Sequence, residues 1–79
     1  DLHVWEKEKA SIMKRYQRGV KDMGGYAVTG RKDTDGCKLF VEGGWLLVRA
    51  SGTEPLIRFY AEAESRAKVD TLLEAATRH

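Results

Sequence analysis

No apolar run in this chain approaches the ~20 residues needed to cross a bilayer, and no signal-peptide pattern marks its start. Neither a membrane span nor a secretory leader is read from it. A single cysteine, Cys37, excludes an internal disulfide and fits a reducing, cytoplasmic setting. Acidic and basic residues almost cancel, and a net charge of +2 does not by itself imply a nucleic-acid partner. Histidine is scarce: His3 and His79 sit near opposite ends, with no cysteine or carboxylate spaced around them as a zinc set. Repeats, low-complexity tracts and linkers are missing too. The chain begins at Asp1 without an initiator methionine, which is read as the mark of a domain cut from a longer protein.

What is present describes one small globular domain. With 79 residues, 42% hydrophobic and 33% charged, it can bury roughly 60% of its unfolded surface and needs a single core. From about Val4 to Met23 the residues Trp5, Ile12, Met13, Tyr16, Val20 and Met23 recur at helical spacing. Gly24-Gly25 is the expected stop, with Gly19 marking a possible earlier end. Strands are read at Tyr26–Thr29, Lys38–Val41, Trp45–Ala50 and Leu56–Ala61, joined by turns at Asp33–Gly36 and Glu42–Gly44. Ser65 is placed to cap a closing helix whose Val69, Leu72, Leu73 and Ala76 share one face. The expected fold class is α+β: helix, four strands, helix, with a mostly antiparallel four-stranded sheet and both helices on one face.

The turn between the last two strands concentrates anion-binding groups. It runs Arg49-Ala50-Ser51-Gly52-Thr53-Glu54-Pro55 and is followed by Arg58. Arginine presents a planar fork of donors that can engage two phosphate oxygens and stays charged at any working pH. Ser51 and Thr53 add hydroxyls. Gly52 holds no side chain against a ligand and tolerates positive φ, so the surrounding amides can form a nest for an oxyanion. By alternation Leu46 and Val48 share one strand face, as do Ile57, Phe59, Ala61 and Ala63, which puts Arg49 and Arg58 on the other, wetter face. Paired as a hairpin, these strands bring both guanidiniums to one anion. The plain alternative is that the two arginines only solubilise an exposed sheet face. Glu54 would repel a phosphate, so it is read as bracing Arg49 or Arg58 or as capping a local amide.

The segment from Gly44 to Glu64, GGWLLVRASGTEPLIRFYAEAE apart from its leading glycine at 43, resembles the last domain of the α-D-phosphohexomutases. That superfamily includes the phosphoglucomutases, phosphomannomutases and phosphoglucosamine mutases. Arg-x-Ser-Gly-Thr-Glu-Pro, then a strand with Arg and an aromatic ending in Ala-Glu, is similar to its phosphate-binding loop. Weaker similarity covers nearly the whole chain. The resemblance implies a two-layer TATA-box-binding-protein-like fold for residues 1–79. It also implies an enzyme of the isomerase class that interconverts hexose 1-phosphate and hexose 6-phosphate through a phosphoserine and a bisphosphorylated intermediate. Carried residue by residue, it gives a substrate-phosphate site of Arg49, Ser51, Gly52, Thr53 and Arg58, clamping the phosphate that is not being transferred. The phosphoserine motif, magnesium loop and sugar-recognition loop belong to other domains of the family. Magnesium is therefore expected in the parent enzyme and none in this segment, which is expected to be inactive alone. The implied partners are a phosphosugar and the preceding domains of the same chain; membrane and nucleic acid are not expected.

The remaining candidates read more simply. Asp33-Thr34-Asp35-Gly36 fails as a calcium loop because, counted from Asp33, Lys38 stands where glycine is needed. Cys37 lacks a nearby histidine and is read as a packed thiol. Trp45 and Tyr60 are read as packing residues, with stacking on a sugar ring as the alternative. The Lys/Glu face of the first helix, Glu6 to Lys9 with Lys14 and Arg15, is read as solvated or facing a neighbouring domain. A rival class is a stand-alone anion or nucleic-acid module using Arg49, Arg58, Trp45 and Tyr60 on its sheet.

Overall fold

The computed structural model describes residues 2–3, 6–34 and 36–78. Its first helix, α1 (Glu6–Gln17), is shorter than its apolar spacing suggests. Gly19 adopts φ of +113° and donates its N–H to the Tyr16 carbonyl at 3.2 Å, closing the last turn. Other donors also reach that carbonyl: Arg31 Nη1 at 3.3 Å and, weakly, Cys37 Sγ at 3.9 Å. The end of α1 is thus held by side chains from the sheet. Val4 and Trp5 lie outside the described residues.

Because the helix stops early, Met23 falls in a strand instead. Asp22–Met23 forms β2, which pairs with β3 (Tyr26–Lys32) through a turn at Gly24-Gly25. These glycines have φ of +62° and +88°, the two successive positive values that a tight hairpin turn of the right twist requires. They close a hairpin and do not end a helix. The chain continues through β4 (Cys37–Val41), β5 (Gly44–Ala50), β6 (Leu56–Ala63) and α2 (Arg66–Arg78). Together with β1 (Leu2–His3) they form an antiparallel sheet ordered β1-β6-β5-β4-β3-β2.

The class is α+β, but five strands, not four, lie between the helices. The difference comes from β2, a two-residue strand too short to carry its own alternation. The four longer strands are those expected, with β3 extended to Lys32 and β6 to Ala63.

Alternation then sorts the sheet. Cys37, Leu39, Val41, Leu46, Val48 and Ile57 are buried on one face together with Tyr16 of α1 and Leu72 and Ala76 of α2. Tyr16 also ties the helices together, its hydroxyl donating to the Ala76 carbonyl at 2.7 Å. Ser65 caps α2 as expected, Oγ accepting from the Lys68 N–H at 3.2 Å. Cys37 is 1% exposed and packed, and burial is the main reason its thiol is pushed up to about 11. An extra residue at Thr29 shifts the β3 register, so that Gly30 pairs with Phe40 but Arg31 pairs with Leu39, on the helix-covered face. That bulge delivers Arg31 to the end of α1, where Asp33 Oδ2 accepts from its Nε at 2.9 Å and Nη2 at 2.6 Å.

Candidate functional site

Strands β5 and β6 pair in register from Gly44↔Ala63 to Ala50↔Ile57, and Arg49 stands directly opposite Arg58. Val48 and Phe59, one residue along, pair on the core face. Both arginines therefore rise from the face the helices leave open, at the end of the hairpin that carries the bend. With Ala50, Ser51 and Gly52 they line a concavity of about 160 Å³. That is several times the ~30 Å³ occupied by one liquid water, and its walls are mostly polar.

The bend is organised by its own serine. Ser51 N–H donates to the Leu56 carbonyl at 3.0 Å, and Leu56 N–H donates to the Glu54 carbonyl at 2.8 Å. Ser51 Oγ accepts from the Glu54 N–H at 3.2 Å and, more weakly, from the Thr53 N–H at 3.4 Å. A hydroxyl has two acceptor lone pairs and one proton, so this leaves the Ser51 O–H free to donate outward. Two of the amides expected to form a nest are thus turned inward. Gly52 does not take positive φ either. Its N–H has no acceptor among the described residues, and a Cβ built there would meet nothing within 4 Å. Glycine at 52 thus answers no steric demand of the chain itself.

Of the five residues expected to hold phosphate, Arg49, Ser51, Gly52 and Arg58 meet at this concavity; Thr53 is exposed and not part of its lining. Glu54 braces Arg58 loosely, Oε1 lying 4.0 Å from Nη2 across two exposed side chains. Such a contact contributes little.

Trp45 and Tyr60 do share the arginine face, but at different removes. Leu47 pairs with Tyr60 one row from the arginines, and Tyr60 is 41% exposed. Trp45 pairs with Glu62 a further row away, about 13 Å from Arg49 at strand spacing. Its indole donates to Glu62 Oε2 at 2.8 Å and Lys38 Nζ lies 4.3 Å from its ring centroid. Trp45 is engaged with its neighbours, away from the bend.

Sequence reasoning missed one participant. Lys9, read as part of a solvated helix face, reaches from α1 to the bend and donates to the Ser51 carbonyl at 2.9 Å and the Glu54 carbonyl at 3.4 Å. Nothing in a Lys/Glu-rich helix distinguishes this lysine, since its partners lie more than forty positions on. Among the described residues no group of three or more histidine, cysteine, aspartate or glutamate side chains could hold a metal ion, and no helix is long and apolar enough to cross a membrane.

Comparison with known proteins bears on this geometry. The family model described as phosphoglucomutase/phosphomannomutase, C-terminal domain, matches residues 5–79. A phosphoglucomutase/phosphomannomutase of Thermococcus kodakarensis is 43% identical over 72 residues, which is 91% of this chain and 15% of that protein. A probable phosphoglucosamine mutase of Methanosarcina acetivorans is 39% identical over 69 residues, 87% of this chain and 14% of that protein. A phosphopentomutase of Thermococcus kodakarensis is 51% identical over 35 residues, 44% of this chain and 8% of that protein. The chain spans about one seventh of the length of the first two curated relatives.

Proposed function

The chain belongs to the phosphoglucomutase/phosphomannomutase C-terminal domain family, and from that premise we propose that its β5–β6 bend is the substrate-phosphate clamp of a phosphohexomutase. The parent reaction is the interconversion of hexose 1-phosphate and hexose 6-phosphate, with the transferred phosphoryl group handled by a phosphoserine on another domain. The observation that carries this reading is the facing pair Arg49 and Arg58 around a polar concavity that also contains Ser51 and Gly52.

The chemistry follows from those four residues. Two guanidiniums placed across a hairpin can take a phosphate from two sides, each through charge-assisted hydrogen bonds. The Ser51 hydroxyl and the Gly52 amide add shorter-reach donors. All of them grip oxygens that do not react. Holding the distal phosphate fixes where the sugar's other end lies, and such positioning can supply several kcal/mol toward the barrier. Closure of this domain over a bound phosphosugar would exclude water from the phosphoenzyme. Magnesium would serve the parent from a loop in another domain. The relatives differ in the sugars that their names carry. A clamp that touches only phosphate is indifferent to that difference.

Titrating the chain by NMR with inorganic phosphate, glucose 6-phosphate and a single-stranded oligonucleotide tests the proposal. Shifts centred on Arg49, Ser51, Gly52 and Arg58 with both phosphates are the expected result. Shifts spread over Trp45 and Tyr60 with the oligonucleotide alone would instead favour a nucleic-acid module. Mutase turnover by these 79 residues is expected to be at background, since no phosphoryl donor is present.

A further inference from the structure

Resting on the phosphate-clamp reading, we infer that Lys9 is the positioning residue of the clamp: by anchoring the Ser51 and Glu54 carbonyls from behind, it aims the Gly52 N–H into the concavity. Lys9 comes from α1, which packs on the helix-covered face of the sheet, whereas the arginines rise from the other face. The bend is therefore held on one side and offered on the other.

Peptide geometry makes the connection. No peptide bond in the described structure is cis, and in a trans peptide the C=O of one residue and the N–H of the next point in opposite directions. Drawing the Ser51 carbonyl toward Lys9 Nζ at 2.9 Å sends the Gly52 N–H the other way, toward the concavity that Gly52 lines. The second anchored carbonyl, that of Glu54, precedes Pro55, which has no N–H to misdirect. The lysine thus turns two carbonyls away from the anion and exposes one amide to it. Its ammonium also adds positive potential behind the bend, without contacting the ligand. A carbonyl left facing the concavity would repel a phosphate, so the anchor removes a repulsive dipole as well as placing an attractive one.

The test compares Lys9→Met with Lys7→Met, which removes the same charge from an exposed position of the same helix. In the unmodified chain the Gly52 amide should be among the resonances moved furthest by inorganic phosphate. Lys9→Met should weaken phosphate binding about tenfold, the scale of one charge-assisted hydrogen bond, and abolish the large Gly52 shift. Lys7→Met should change affinity less than about twofold, as expected for an exposed charge. If Lys9→Met only lowers the melting temperature while affinity and the Gly52 shift persist, the inference is overturned. If the unmodified chain shows no phosphate response, the clamp reading fails first, and the two failures are distinct. Should Lys9→Met not fold, hydrogen-bond couplings from the Lys9 ammonium to the Ser51 and Glu54 carbonyls in the phosphate-bound unmodified chain decide the matter. Their presence supports the inference and their absence overturns it.

Discussion

Strand β5 ends in two bends, each tied down by a lysine from a different helix, and they differ in what they leave open. At the β4–β5 end, Lys68 of α2 donates to the Glu42 carbonyl, pairs with Glu64 Oε1 at 3.1 Å and lies 4.6 Å from the Tyr26 ring centroid. It is 7% exposed. Gly44, which opens β5, has no room beside it, since a Cβ there would come within 2.4 Å of the Glu62 carbonyl oxygen. At the β5–β6 end Lys9 of α1 makes a similar anchor, yet a Cβ at Gly52 would meet nothing. A lysine on carbonyls is the shared device. In the first bend it closes a packed corner; in the second it leaves a concavity flanked by arginines. The two glycines report the difference, one required by the protein's own backbone and the other not.

The largest effect should come from filling the closed bend. Gly44→Ala must push β6 away at the Glu62 carbonyl and at Ala63, which a Cβ would approach to 3.0 Å. Because the obstacle includes backbone, relief by a side-chain rotation is not available. A loss of about 3 kcal/mol, at the upper end of overpacking costs, should be measured by denaturant unfolding. Phosphate binding by the molecules that remain folded should be nearly unchanged. An unchanged unfolding midpoint would dissolve the contrast between the two bends.

Arg49→Ala should do the reverse. The residue is exposed on the open face, so stability should move by less than about 0.5 kcal/mol. Removing one charge-assisted contact to the anion costs about 1.5 to 3 kcal/mol, and kcat/KM of the full-length enzyme should fall by roughly one to two orders of magnitude. Wild-type kinetics would take Arg49 out of the site and leave the open bend without its main charge.

How far the sequence foretold these bends depends on the range of the interactions involved. Alternation of branched and aromatic residues reveals the four longer strands and puts Arg49 and Arg58 on one face, because side-chain direction in a strand follows position alone. Ser65 was legible as a cap for the same reason, its partner being three residues away. Gly24-Gly25 carried a stop signal that belongs to a hairpin, whereas Gly19, read as the alternative earlier end, is where the helix closes. The apolar spacing ran through Val20 to Met23, and only the packed structure decides that these residues leave the helix. The serine's own hydrogen bonds are local, but they compete with an amide nest that the same residues could form. Both lysine anchors were illegible. They act across 42 and 26 positions, and on paper each is one more charge on an amphipathic helix.

A smaller effect separates the bends by pH. Hydrogen bonding to its backbone and then to Lys68 holds the Glu64 carboxyl below its ordinary value of 4.5. A depressed carboxyl contributes stability above its unfolded pKa and loses it as pH falls through the folded value. Lowering pH from about 4.5 should therefore loosen the Glu42–Gly43 turn, while the bonds from Lys9 to the Ser51 and Glu54 carbonyls, acceptors that do not titrate, should persist. Hydrogen exchange across the β4–β5 turn, compared with that of the Ser51 amide, which is bonded to the Leu56 carbonyl, would show whether the first bend opens ahead of the second, and simultaneous opening would deny them separate anchors.

The smallest energetic change is the most discriminating. Gly52 lacks positive φ and has open space at its Cβ position, so alanine fits there without strain. Replacing glycine at a compatible position reduces the freedom of the unfolded chain and stabilises by about 0.4 to 1 kcal/mol. Gly52→Ala should therefore raise the melting temperature slightly, whereas a methyl group at the lip of the concavity should hinder phosphate from reaching the amide. Stability and affinity would move in opposite directions at a single residue. Neither steric contact nor φ demands glycine there, so the pair of measurements separates folding from binding at this residue. If alanine raised stability and left phosphate affinity intact, the bare backbone at 52 would have no role in binding, and the anion would have to be held by Arg49, Arg58 and Ser51 alone.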